Sequence, residues 1–333
     1  MNNALNRPWR WGILGTAQIS LEIIKAIREG RDCGELRAVA SRNPLKAQAW
    51  AERHNIPLAF GSYSDLLNSG EVDLIYNPLP NALHAEWTIQ ALETGHSVLC
   101  EKPIAADALE ARAMQQAAAK AGRYVAEAFM YRFHPQWSRV KELLNNEVIG
   151  SVTSMHSQFT FMLDDRSAIA ASKELAGGAL MDVGCYCINF SRMIADCEPG
   201  LVAAFERRET VDDTLLGLLE FPNGILAQFE TSIANYERHR AEIAGTIGAI
   251  ILDSPWVPGK APARIKVYRP DLPAEEIVIP PTNSYQLEVE DFVAVCRNRS
   301  RPRWPISDAV ANMAVIDALL LSARTKRAIQ PEY

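Results

Sequence analysis

Gly12-Ile13-Leu14-Gly15-Thr16-Ala17-Gln18-Ile19-Ser20 follows a short apolar run, Arg10 to Leu14, and leads into a helical pattern. From about Ile19 to Glu29, apolar Ile19, Ile23, Ile24 and Ile27 share one face of a helix. A strand that turns at a glycine into a helix can hold a phosphate. The tight turn lets backbone approach the anion, and the helix start supplies unpaired N–H groups and a positive dipole end. Gly15 fills the first glycine position of a dinucleotide-binding pattern, while Ala17 and Ser20 stand in the other two. The stretch predicts a βαβ unit with Gly12, Gly15, Thr16, Ala17, Gln18 and Ile19 at a cofactor; the plainer alternative is an ordinary strand–helix turn.

Working outward, the first half alternates strand and helix. Leu36 to Ala40, Val72 to Tyr76, Ser97 to Cys100 and Tyr124 to Ala128 read as strands. Between them lie a helix opened by Pro44, a pattern over Tyr63 to Asn68, and helices over Ala82 to Glu93 and Ala105 to Ala121, closed by Gly95 and Gly122. This order predicts an α/β fold whose first domain is a doubly wound parallel sheet of Rossmann type. The second half changes character. Val152 to Met162, Thr214 to Phe221, Ile225 to Ser232, Arg240 to Ala244, Ala249 to Leu252, Ile265 to Tyr268 and Glu276 to Ile279 read as strands, with a hairpin at Pro222-Asn223-Gly224. Strands without intervening helices predict a C-terminal α+β domain with a large open, mainly antiparallel sheet. The boundary is expected near residues 125–135, giving a cofactor domain over 1–126 and a substrate and self-association domain over 127–333. A final helix, Ser307 to about Lys326, has Ser307 as its expected N-cap.

The end of the second strand bears on cofactor choice. An NAD site usually carries Asp or Glu there, for the adenosine ribose. Ser41-Arg42-Asn43 stands here instead, with Lys46 one turn on. Serine can hydrogen-bond a 2′-phosphate and arginine can pair with it, so the sequence favours NADP over NAD. The alternative is that Ser41 caps a helix and Arg42 is a surface charge.

Composition narrows the rest. Among 333 residues, 48% are hydrophobic and 22% charged, which excludes a disordered chain. The net charge of −6, with no basic run, argues against a nucleic-acid partner. No metal-ligand spacing is found among the six cysteines or around His134, His156 and His239, so no metal is expected. The cysteines read as buried, reduced side chains, and Trp137 and Trp304 as packing residues. No window is read as a membrane span and no signal peptide is seen at the start, so a cytoplasmic protein is expected.

Four further segments carry chemistry. They are Asn77-Pro78-Leu79-Pro80-Asn81 with His84, Cys100-Glu101-Lys102-Pro103, Glu127 to Pro135 with Arg132, and Gly177-Gly178-Ala179-Leu180-Met181-Asp182-Val183-Gly184-Cys185-Tyr186. Together, in order and across nearly the whole chain, they resemble the glucose–fructose oxidoreductase / inositol dehydrogenase (Gfo/Idh/MocA) family. The likeness is nearest to its branch of dihydrodiol dehydrogenases, NADP-dependent xylose dehydrogenases and sugar ketoreductases. Tyr186 stands where the inositol enzymes carry histidine, which puts an inositol substrate in doubt. The resemblance implies a sugar-like substrate and a homodimer or homotetramer formed through the C-terminal sheet. It also implies cofactor contacts from Asn77, Pro78, Leu79, Asn81, His84, Glu101, Lys102 and Arg132.

Oxidising a CH–OH group removes a hydride from carbon and a proton from oxygen, and protein groups must handle the proton. Tyr186 is a candidate, with an unperturbed pKa near ~10 that a nearby ammonium would lower. Lys102, at the end of a parallel strand, is the expected ammonium. Asp182 lies at i−4 from Tyr186, on one helix face with it, and would orient substrate or Lys102. Competing expectations are an NAD-dependent glycoside hydrolase of the same family, a sugar-nucleotide ketoreductase, or a cofactor-binding regulator without chemistry.

Overall fold

β1 (Arg10–Leu14) is buried almost throughout, and Gly15 leaves it with a φ of 92° while its N–H donates to the Ala40 carbonyl at 2.7 Å. The chain here is a computed structural model that describes residues 7–165 and 168–333. Residues 1–6 and 166–167 lie outside the described residues. After β1 come α1 (Ser20–Glu29), β2 (Glu35–Ala40), α2 (Pro44–Arg53), β3 (Leu58–Phe60), α3 (Tyr63–Leu67), β4 (Leu74–Asn77), α4 (His84–Glu93), β5 (Ser97–Glu101), α5 (Ala108–Ala121) and β6 (Val125–Ala128). The six strands pair in the order β3-β2-β1-β4-β5-β6, parallel at every pairing.

Parallel strands covered on both faces must be apolar on both, and Ile13, Leu14, Ile75, Val98 and Leu99 are fully buried. The helices start where side chains satisfy their first N–H groups: Asn43 accepts from Lys46 N and Asp107 from Glu110 N. Asn43, not Ser41, therefore caps α2. The strand order reverses between β1 and β4, the switch point at which open sheets of this kind bind ligands beyond the carboxyl ends of the strands.

The second unit starts with α6 (Pro135–Asn145) and β7 (Val152–Met162). A π-helical turn, Leu180–Gly184, runs into α7 (Cys185–Ala195). Seven strands follow: β8 (Leu201–Arg208), β9 (Asp212–Glu220), β10 (Leu226–Ser232), β11 (Ala234–Gly245), β12 (Gly248–Leu252), β13 (Ala263–Tyr268) and β14 (Glu275–Ile279). With β7 they form one eight-stranded sheet in the order β14-β13-β12-β11-β7-β10-β9-β8. Only β7–β10 is a parallel pairing in it.

α8 (Ser284–Asn298) and α9 (Ile306–Thr325) complete the chain. The two compact units are Met1–Met130 with Ser284–Val310, and Tyr131–Asn283 with Ala311–Tyr333. The division is thus discontinuous in sequence. α8 returns to the first unit, where Val289, Phe292 and Val293 join Ile23, Ile27 and Trp11 in one core and the Trp11 and Phe292 rings lie 5.6 Å apart.

Two expectations need correction. Ser307 is not an N-cap, because α9 already begins at Ile306, and the Asp308 N–H bonds back to the Pro305 carbonyl. α9 is also long and apolar enough, by length and composition, to cross a membrane, contrary to the reading that no window is. Its apolar window is 61% buried, as in a core helix. Its polar groups bond within the protein as well: Asn312 donates to the Cys185 carbonyl, and Ser322 accepts from Ala204 N.

Candidate functional site

In the first unit the predicted residues gather around three strand ends. Gly12 lies inside β1, and a Cβ there would come within 2.9 Å of Leu66 and 3.1 Å of Ile75 and Val72, so its bareness is explained by packing. Gly15 differs. Its positive φ and its closeness to Leu79, 3.1 Å from where a Cβ would stand, both call for glycine. Thr16, Ala17 and Ile19 are partly buried and Gln18 is exposed. The Ala17, Gln18 and Ile19 carbonyls accept from the N–H groups three residues on, a tight first turn into α1. Ser20 is fully buried, which suits close helix–strand packing.

At the end of β2, Ser41 is buried and its hydroxyl accepts from Asn43 N, while Arg42 and Lys46 are exposed. Burial raises the pKa of the Tyr63 hydroxyl, and the nearby Arg42 guanidinium pulls against it. The same hydroxyl lies 3.9 Å from the position of a Gly15 Cβ. Tyr63 thus lies near both the glycine turn and Arg42. Sequence reasoning missed it, since a tyrosine opening a short helix looks like any other core aromatic.

β4 and β5 end in two loops linked by buried polar groups. Asn77 is fully buried; its amide donates to Thr88 Oγ1 at 3.0 Å and to the His84 carbonyl at 3.3 Å, and its Oδ1 accepts from Leu79 N. Pro78 and Leu79 are buried and Asn81 is partly exposed. His84 is fully buried, with Nε2 2.6 Å from the Leu79 carbonyl and Nδ1 2.9 Å from that of Pro103. Burial pushes its pKa down to about 4 despite those carbonyls, so the ring is neutral at physiological pH. Glu101 accepts from the Tyr76 hydroxyl at 2.6 Å and from Lys102 N at 3.3 Å, and so holds backbone. Lys102 itself is half-buried, just past β5. Asn77, His84 and Glu101 therefore shape the loops on which Leu79 and Lys102 stand.

Asp182, Tyr186 and Arg132 belong to the second unit. Arg132 is buried in a short helical turn after β6. Tyr186, 6% exposed, lies among Tyr131, Phe159 and Trp256, with ring centroids 5.5, 5.3 and 6.1 Å away. The Tyr131 hydroxyl donates to Asn189 at 2.7 Å, which fixes one wall of this nest. Asp182 is partly exposed in the π-helical turn, so the simple i, i+4 reading is altered by a widened turn between it and Tyr186. Such turns recur at functional sites. Beside the nest, Phe159, Phe161, Val183, Tyr236, Glu237 and His239 line a cavity of about 620 Å³. Among the described residues no group of three or more His, Cys, Asp or Glu could hold a metal ion.

A family described as "Oxidoreductase family, NAD-binding Rossmann fold" matches residues 9–129, and the "GFO/IDH/MocA C-terminal domain" matches residues 137–251. The chain belongs to the GFO/IDH/MocA family of oxidoreductases. It is 36% identical to the D-xylose 1-dehydrogenase (NADP(+)) 2 of Haloferax volcanii over 96% of its own length and 99% of that protein's. It is 34% identical to the trans-1,2-dihydrobenzene-1,2-diol dehydrogenase of Xenopus laevis, over 79% of its length and 81% of that enzyme's. Among solved structures it resembles a 3-ketoreductase from Actinomadura kijaniata in complex with NADP and TDP-benzene. That match has a TM-score of 0.90 and 28% identity, covering 95% of this chain and 98% of the other.

Proposed function

We propose that this oxidoreductase is an NADP-dependent dehydrogenase or reductase that interconverts a hydroxyl and a carbonyl on a sugar or related cyclic polyol. One observation carries the cofactor choice. The end of β2 offers a buried serine and an exposed arginine near Tyr63 and the Gly15 turn, with no carboxylate to repel a 2′-phosphate. The turn Gly15 to Ile19, with Ser41, Arg42 and Lys46, fits a phosphorylated dinucleotide. Asn81 and Arg132 are assigned to the remainder of the cofactor. NADP, when bound, exchanges the hydride with the substrate carbon. Tyr186 takes or returns the hydroxyl proton, and Lys102 supplies the positive charge that makes tyrosinate accessible. Asp182 orients substrate. The cavity beside Tyr186 suits a sugar ring: Phe159, Phe161 and Tyr236 offer aromatic faces, and Glu237 accepts from hydroxyls.

Two further proposals concern the whole chain. All six cysteines are free thiols, in keeping with a reducing, cytoplasmic setting. Self-association is assigned to the outer face of the second sheet.

The test is a panel of free sugars and trans-dihydrodiols against NADP and NAD, followed by nicotinamide absorbance. Sustained turnover with NADP is expected. A strong preference for NAD would overturn the Ser41–Arg42 argument. Release of an aglycone without net cofactor change would turn the assignment to a glycoside hydrolase.

A further inference from the structure

Gly177-Gly178 is explained neither by the cofactor turn nor by the proton chemistry, yet it immediately precedes the segment that carries Asp182 and Tyr186. A Cβ on Gly177 would lie 2.4 Å from the Ile169 carbonyl oxygen and 2.7 Å from that of Ala170. Gly178 has a φ of 122°, and its Cβ would stand 2.1 Å from Asp212 Oδ1. The vacant space at Gly178 is therefore occupied by a carboxylate. Asp212, the first residue of β9 and only 2% exposed, accepts from the Leu180 N–H through Oδ2 at 2.7 Å. Leu180 opens the helical stretch, and its N–H is one of the donors that no helix can satisfy internally.

We propose that Asp212 is a positioning residue for Tyr186: seated against Gly178, its carboxylate anchors the start of the helical segment and so sets the phase at which that segment presents Asp182 and Tyr186. This rests on the reading that Tyr186 handles the proton. The argument turns on the π-helical turn. A widened turn holds one more residue than an α-turn, and relaxing it would rotate everything on one side by about 100° relative to the other. Such a segment keeps its phase only if its leading end is fixed. Three contacts fix it: the Asp212–Leu180 bond, the Thr231 hydroxyl donating to the Ala179 carbonyl at 2.9 Å, and the Gly178 N–H donating to the Ala170 carbonyl at 2.8 Å. Asp212 supplies the one that is both buried and charge-assisted.

The anchor also carries a pH dependence. Burial pushes the Asp212 pKa up to about 6, against the pull of the Leu180 N–H and Arg208 and with the push of Glu206. Arg208 and Glu206 face it from β8, Asp213 follows it on β9, and Asp182 stands in the turn it caps. Above pH 6 the ionised carboxylate is the stronger acceptor; below it the anchor weakens.

The test uses the full chain with NADP and the substrate identified by the panel, together with hydrogen–deuterium exchange, which needs no substrate. In Asp212→Ala the amides from Leu180 to Tyr186 should exchange about tenfold faster, and kcat should fall about tenfold, with NADP affinity within about twofold. Asp212→Asn, which keeps an acceptor but not the charge and cannot titrate, should fall between the parent and Asp212→Ala in protection and in kcat, near the parent's level below pH 6, and should abolish an acid limb of kcat near pH 6. Gly178→Ala, which displaces the carboxylate, should reproduce Asp212→Ala. If folded Asp212→Ala keeps wild-type exchange and kcat, or if Asp212→Asn keeps the acid limb, the proposal is wrong. If the exchange result holds but Tyr186→Phe leaves turnover intact, it is the assignment of Tyr186 that fails.

Discussion

Arg42 and His84, both proposed for the cofactor site, sit in opposite surroundings. Arg42 is exposed, and in the proposed NADP site it gives the 2′-phosphate a charge-assisted hydrogen bond of about 1.5–3 kcal/mol. Arg42→Ala should therefore weaken NADP binding by about tenfold to a hundredfold and leave NAD binding nearly unchanged; equal losses for both in a fluorescence titration would remove Arg42 from the phosphate site. His84 touches two loop carbonyls, and its role is to tie the Leu79 loop to the Lys102–Pro103 loop. Burial holds its pKa at about 4, below the ordinary 6.5 of the unfolded chain. The unfolded state then binds more protons between these values, so this residue's contribution is complete above pH 6.5 and is lost as pH falls toward 4. His84→Gln should flatten that part of the stability profile relative to the parent, as measured by denaturant titrations at pH 7 and pH 5. A parallel loss in both proteins would show that His84 does not titrate there.

Among the elements, the parallel sheet is legible because β1, β4, β5 and β6 are short apolar runs punctuated by glycine, and the expected bounds of β1 are the observed ones. β3 is silent in the sequence, since three half-buried residues give no periodicity, and so is β8, whose Glu206, Arg207 and Arg208 hide its alternation. α8 escaped because its residues Ser284 to Asn298 follow a proline-rich stretch and carry only a sparse apolar stripe. The turn at Gly15 is legible because a positive φ beside a packed side chain calls for a fixed residue type. Tyr63 and Asp212 were silent, because their partners lie in other elements. A tertiary link of this kind also joins the starts of β1 and β4. Asp73, just before β4, accepts from Arg7, from the Arg10 guanidinium and from Arg10 N. Burial would raise its pKa, but the two arginines win and hold it at about 2. The stabilisation is present above pH 4 and is lost as pH falls through about 2. Asp73→Asn should cost about 1–2 kcal/mol at pH 7, where Arg7 is half exposed and screened, and much less at pH 2. A chemical-denaturation series that shows no difference at pH 7 would exclude the link as a source of stability.

At the scale of the whole molecule, the second sheet is finished on one face only. β8 and β9 alternate: Val202, Ala204, Leu215 and Leu219 are buried, whereas Phe205, Leu216 and Leu218 are 64%, 52% and 53% exposed. The register places Phe205 opposite Leu216, and Leu226 of β10, 56% exposed, opposite Glu220 at the end of β9. These apolar side chains are therefore neighbours on one surface rather than scattered residues. A contiguous apolar patch of this kind on a sheet is a site of association. A second copy of the same chain is the occupant proposed, because an exposed sheet face can meet its own copy across a two-fold axis with every contact repeated. Leu216→Asp with Leu218→Asp would place two charges at the centre of such an interface, and neither side chain is part of the buried core. The parent should then sediment as a dimer or larger and the double variant as a monomer, while NADP binding in the first unit is unchanged. A parent that sediments as a monomer at micromolar concentration would leave this face to solvent. A double variant that keeps the parent's mass would move the interface to another surface.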